Sequence, residues 1–213
     1  SGVIYYDEDD NEVFQPAEVV VMACNGVGTP RLLLNSTSTA FPDGLANSSG
    51  LVGKNLMFHP YANIQGICED EMDGYRGPPL SLWSKEFYET DESRGYVRGF
   101  TLELHRGSRP VASALGGMLS GRIPWGEGHH DAYRRMFNHV IGMSAICEDL
   151  PEEHNRVTLD PELTDRHGIP SPKIDYTLSE NSRKMLDFAV ERGTELLETA
   201  GAYDIMVESP IAA

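Results

Sequence analysis

One stretch constrains the fold more than any other: Val19-Val20-Val21-Met22-Ala23-Cys24-Asn25-Gly26-Val27-Gly28-Thr29-Pro30-Arg31-Leu32-Leu33-Leu34. A continuous apolar run that ends at turn residues suits a parallel strand covered on both faces. Gly26 and Gly28 then let the backbone approach a ligand or adopt positive φ. Thr29 predicts a cap for a helix whose first residue is Pro30, where a missing N–H costs nothing. This strand-glycine-helix order is the geometry of a nucleotide cradle. The spacing G-x-G-x-x-R lacks the third glycine of the dinucleotide fingerprint, so the spacing alone also fits an ordinary crossover connection.

Around this segment the chain reads in two textures. Val3 to Tyr6 and Glu12 to Phe14 flank an acidic turn and predict a hairpin that leads into a buried strand at 18–24. A helix over 30–35 and a long Ser-, Asn- and Gly-rich loop to His59 follow, and a loop of that length wraps a ligand or crosses between domains. From Tyr61 onward short β-like runs (63–68, 95–104, 140–147, 156–160, 173–178) alternate with turns, which predicts a largely antiparallel sheet and an α+β domain. The Gly-rich stretch 116–128 has no lysine in Walker position and reads as a flexible loop at a pocket rim. A long helix is expected from Glu180 to Ala200, capped by Ser179 and stopped at Gly201. Its apolar stripe is Met185, Leu186, Ala189, Val190, Leu196, Leu197 and Ala200, with Gly193 allowing close approach to a sheet.

Charge and residue chemistry exclude several classes. With 33 acidic and 17 basic residues the formal net charge is -16, which disfavours phosphate backbones and anionic membranes. No apolar run approaches the roughly 18 to 20 residues that span a bilayer. Cys24, Cys68 and Cys147 are far apart and read as small core residues. His130 and His139 lie nine positions apart, on opposite sides of any helix, so with Glu127 and His129 they read as a solvated or pocket-lining group and no metal site is expected. Ser36, Ser48 and Ser49 sit in no G-x-S-x-G elbow. Glu152 and Glu153 read as a solvated acidic patch.

The stretch from Ala23 to Ser36, followed by Gly44-Leu-Ala-Asn-Ser-Ser-Gly-Leu-Val-Gly-Lys-Asn-Leu-Met-Phe-His-Pro60, resembles the glucose-methanol-choline family of FAD-dependent oxidoreductases. The likeness continues through Glu148-Asp-Leu-Pro-Glu152, Asn155-Arg-Val-Thr-Leu-Asp-Pro161, Asp165 to Pro170 and the helix after Ser179. Residues 68–125 carry no motif of the family, and Asn25-Gly26 and Thr37-Ser38-Thr39 depart from its usual residues.

The resemblance implies an α+β fold: the end of an FAD-binding α/β (Rossmann-like) domain at 1–60, then a substrate-binding domain at 61–213 with a mainly antiparallel sheet covered by helices. It implies FAD as cofactor, a small alcohol, sugar or polyol as substrate, and hydride transfer from a CH–OH carbon to the flavin while a histidine takes the hydroxyl proton. Ala23, Cys24, Asn25 and Gly26, with Asn55 and His59, are the residues it places near FAD. For His59 a role in pinning the loop ahead of Pro60 competes with cofactor contact. The family's G-x-G-x-x-G turn and its catalytic histidine are expected outside this sequence, so the chain reads as a fragment with no catalytic residue of its own. The alternative is a non-catalytic ligand-binding or interaction domain that keeps the substrate-domain sheet. Nucleic acid is not an expected partner, the electron acceptor is left open, and a soluble, cytoplasmic setting is favoured.

Overall fold

Alternation of apolar and polar residues on short strands, with one long amphipathic helix to cover them among the described residues, builds this fold from antiparallel pairs. The computed structural model describes residues 1–107 and 109–210. Its strands are β1 (Gly2–Tyr6), β2 (Glu12–Pro16), β3 (Tyr61–Ile67), β4 (Leu80–Ser84), β5 (Phe100–His105), β6 (Val140–Cys147), β7 (Arg156–Thr164), β8 (Pro170–Asp175) and β9 (Tyr203–Glu208). Its α-helices are α1 (Asn25–Asn35), α2 (Pro110–Leu119), α3 (His129–Met136) and α4 (Glu180–Thr199). Among the described residues every strand pairing is antiparallel, and the class is α+β as expected. By compactness the chain divides into Ser1–Leu56 with Pro151–Tyr176, and Met57–Leu150 with Thr177–Ala213.

In the first unit the β1–β2 hairpin closes on Asp7, whose Oδ1 accepts the N–H groups of Asp9 and Asn11 at 3.0 and 2.8 Å. Those backbone donors hold the Asp7 carboxyl below the usual carboxylate range. Tyr6 stacks on His167 at 3.8 Å, and Arg166 reaches Asp10 at 2.8 Å. Helix α1 lies against the β7–β8 hairpin, where Arg31 donates to the Pro170 carbonyl at 2.8 Å and pairs with Asp165 at 3.1 Å. The long loop after α1 is tied down at its end: Val157 N donates to the Gly53 carbonyl at 2.7 Å and Leu56 N to that of Asn155 at 2.8 Å.

The buried strand expected at 18–24 is not formed. Val19 and Val21 are 78% and 83% exposed, and no described strand pairs with this segment. A strand exists by its ladder, and an apolar run without a neighbour has only its sequence to recommend it. The helix also begins five residues before Pro30. Asn25, at φ 61°, starts it, and its Oδ1 accepts the Val27 and Gly28 N–H groups at 2.9 and 3.1 Å. Asn25 therefore does the capping expected of Thr29, whose hydroxyl accepts from Cys24 N at 3.2 Å instead. Pro30 falls inside α1, and the residue four positions back, against which its ring would press, is Gly26.

The second unit holds the sheet β4-β5-β6-β3-β9, with α4 across one face. Ala62, Ile64, Phe100, Leu102, Ala145 and Cys147 point to that face and meet Met185, Leu186, Ala189 and Leu197, all at most 2% exposed. Ser179 caps α4 by accepting from Ser182 N, and Gly201 follows its end at φ 90°. Gly193 does allow the close approach: a Cβ there would collide with Ile64 Cδ1. Leu196 and Ala200 are exposed, because they fall beside the stripe that the sheet covers. Cys68 and Cys147 are buried, but Cys24 is exposed on the turn before α1 rather than in a core. Residues 116–119 close helix α2 instead of forming a loop, with Gly117 packed under Ile123.

Candidate functional site

The expected site residues fall in both units. In the first, Ala23, Cys24, Asn25 and Gly26 form a single exposed turn at the start of α1. No atom lies within 4 Å of a Cβ built on Gly26, so its backbone stands open to a ligand. The conformation that needs φ above zero belongs to Asn25, not to either glycine. Asn55, also in this unit, adopts φ 58° between Lys54, which bridges to Arg156, and Leu56, which bonds to Asn155.

His59 belongs to the second unit. Its Nδ1 lies 3.3 Å from the Cys147 carbonyl, which only accepts, so this nitrogen carries the proton. Cys147 N in turn donates to the Pro60 carbonyl at 2.9 Å. Nearby, the buried Asp149 carboxylate accepts the Ser182 hydroxyl at 2.7 Å, Leu150 N at 3.0 Å and Phe58 N at 3.4 Å. The segment entering β3 is thus held at Phe58 and His59 by side chain and backbone together.

The face of the sheet opposite α4 holds a polar network that the motifs did not reveal. Thr101, Glu103 and His105 on β5 point there, as do Tyr61, Asn63 and Gln65 on β3 and Ser144 on β6. Ser144 Oγ lies within hydrogen-bond reach of both the Tyr61 hydroxyl, at 2.5 Å, and His105 Nε2. Burial, opposed by the nearby Glu103 charge, pulls the His105 imidazole below its ordinary value. Neutral at pH 7, His105 has one ring nitrogen that donates and one that accepts, as a chain of hydroxyls requires. Ser144 is 1% exposed, so this serine and histidine beside a carboxylate are no acylating triad; the exposed end of the network is Tyr61. Glu103 is 91% buried as a residue, but its carboxylate oxygens keep contact with solvent rather than being enclosed without a partner. The period-2 reading of Phe100-Thr-Leu-Glu-Leu-His105 would have found this face.

No group of three or more potential metal ligands occurs among the described residues, and no helix is long and apolar enough to cross a membrane.

An antiparallel sheet with one helical face and one polar face defines an α+β fold. No family model matches the chain. By sequence it is a homologue of oxidoreductases of the glucose-methanol-choline type. It is 37% identical to 2-methyl-1,2-propanediol dehydrogenase of Mycolicibacterium austroafricanum over 190 residues, 88% of this chain and 34% of that protein. Fructose dehydrogenase large subunit of Gluconobacter japonicus is 26% identical over 205 residues, 96% of this chain and 37% of that protein. Gluconate 2-dehydrogenase flavoprotein of Pantoea cypripedii is 22% identical over 206 residues, 93% of this chain and 33% of that protein. The chain spans about a third of the length of these curated relatives.

Proposed function

We propose that the chain is part of an FAD-dependent oxidoreductase that oxidises the CH–OH group of an alcohol, sugar or polyol. The observation that carries this reading is the 37% identity to a diol dehydrogenase across 88% of the chain. On this reading residues 1–60 belong to the cofactor domain and 61–213 to the substrate domain, with Pro151–Tyr176 falling in the same compact unit as Ser1–Leu56.

The exposed turn fits a flavin: Gly26 presents open backbone, and Ala23, Cys24 and Asn25 are exposed beside it. These four residues, with Asn55 and His59, are the ones we assign to holding FAD. Bound FAD supplies the hydride acceptor, a role no protein side chain can take. The chain's own residues bind and orient the alcohol. Tyr61 and His105, locked in rotamer by their shared contact with Ser144, present polar atoms to a hydroxylated substrate without having to reorganise. Asp149 fixes the backbone at Phe58, and the Cys147 carbonyl fixes the His59 ring, so the loop entering β3 meets its ligand preformed.

The first test is the coding sequence on either side. A strand with a G-x-G-x-x-G turn is expected ahead of position 1, because the FAD pyrophosphate needs a glycine turn at a helix N-terminus. A histidine is expected within the few dozen residues after position 213, because hydride transfer from an alcohol needs a proton acceptor. A start codon directly before Ser1 and a stop after Ala213 would defeat the reading. The 213-residue chain with added FAD should give no alcohol-dependent dye reduction, and sustained turnover would equally overturn it. In the full-length enzyme Gly26→Val should weaken flavin retention, measured by flavin fluorescence after desalting, since a branched side chain fills the open space at the turn.

A further inference from the structure

The polar face has a direction and a charge. Trp83 stands opposite Glu103, Glu103 opposite Ser144, Ser144 opposite Asn63, and Asn63 opposite Glu208, so these five residues form one row across β4, β5, β6, β3 and β9. Residues directly opposed in antiparallel strands share a face. Trp83, 62% exposed, offers a flat indole at the start of the row. Glu103 and Glu208 supply acceptors, Asn63 supplies donors and an acceptor, and no lysine or arginine occurs anywhere in the five strands.

We infer that this row selects uncharged polyols and sugars, and rejects substrates that carry a carboxylate. The inference rests on the reading of this face as the substrate wall. A polyol carries hydroxyls that donate to carboxylate oxygens, and Glu103, only 9% exposed as a residue and without a protein donor among the described residues, keeps its carboxylate oxygens open to solvent and so to a ligand hydroxyl. The C–H side of a sugar or polyol packs on an indole, which buries apolar area at little entropic cost. The five strands offer a substrate carboxylate no ammonium or guanidinium to pair with. It meets the field of Glu103 and Glu208 instead, and a like charge beside two carboxylates is disfavoured. A long unbranched alcohol satisfies neither the acceptors nor the row of polar groups.

The experiment uses the 213-residue chain carrying Trp125→Phe, which leaves Trp83 as the sole tryptophan. The chain is labelled at the indole nitrogen and titrated by NMR with D-sorbitol, D-gluconate and 1-hexanol. Sorbitol should shift the indole resonance saturably, gluconate should bind roughly tenfold more weakly or not at all, and 1-hexanol should leave it unmoved. Glu103→Gln, with its fold checked by circular dichroism, should bring gluconate to within about twofold of sorbitol. Equal response to gluconate and sorbitol in the unaltered row, a response to hexanol with sorbitol silent, or silence toward all three would each overturn the inference. The comparison of ligands needs no variant at Glu103, so it stands even if that variant misfolds. Neither arm needs flavin: sorbitol binding beside natural start and stop codons would keep this inference and defeat the enzyme reading, and flavin motifs with a response to hexanol alone would do the reverse.

Discussion

Gly193→Ala sets two effects of known size against each other. Relieving a helix interior of glycine stabilises it by about 1 kcal/mol. Here the new Cβ collides with Ile64 Cδ1, and Ile64 is fully buried between β3 and α4, so its terminal methyl has no free space to turn into. Overpacking of that kind costs about 1–3 kcal/mol. The net for Gly193→Ala is a loss of about 0–2 kcal/mol. Ile64→Val deletes the offending methyl and alone costs about 0.5–1.5 kcal/mol through the void it leaves. In the double variant the alanine methyl occupies that void, and the next nearest atoms, Ile64 Cγ1 at 3.7 Å and Leu102 Cδ2 at 3.9 Å, are at ordinary contact distance. The double variant should therefore be more stable than the sum of the singles predicts, by about 1–2 kcal/mol. Urea denaturation of the four proteins in the cycle measures this directly. Additivity to within about 0.5 kcal/mol would refute the argument, because it would mean that Gly193 and Ile64 do not compete for one space.

Gly99→Ala should be worse than Gly193→Ala, since its Cβ would meet the backbone carbonyl oxygens of Tyr88 and Phe87, which cannot rotate away; a loss above about 2 kcal/mol in the same urea assay is expected. For His105 the folded value lies below the ordinary one, so its contribution to stability is present above the unfolded value near 6.5 and is lost as pH falls through the folded value. The urea midpoint should accordingly fall more between pH 7.5 and 5.5 in the unaltered chain than in His105→Gln, and equal falls would contradict the burial of this imidazole. Burial pushes the Cys147 thiol up to about 12 and raises that of Cys68, while Cys24 is exposed. A thiol reagent at pH 8 should label Cys24 in the folded chain and all three cysteines only in denaturant, as read by peptide mass spectrometry.

Much of this protein was legible from residues alone because its signals are local. The hairpin at β1–β2, the strand β6 at Val140–Cys147, and helix α4 with its Ser179 cap and Gly201 stop are each specified by neighbours within a few positions. Gly193 was legible as a site of close approach, because an interior glycine on an apolar stripe has no better use. The family too could be read from sequence, since its motifs at 23–36 and 44–60 are runs of adjacent residues.

Tertiary structure decided whatever depends on a partner distant in the chain. Val19-Val20-Val21 has the composition of a buried strand, but composition does not provide the ladder, and the segment lies unpaired and exposed. Asn25 took the cap from Thr29 because its side chain reaches two backbone donors from an αL conformation that asparagine tolerates well. The polar network joins Tyr61, His105 and Ser144 across up to 83 positions, and no single segment contains enough of it to announce a site. The alternation on each strand sorts side chains into two faces. Only the pairing register determines which of them meet, and only the seat of α4 decides which face is covered by the helix.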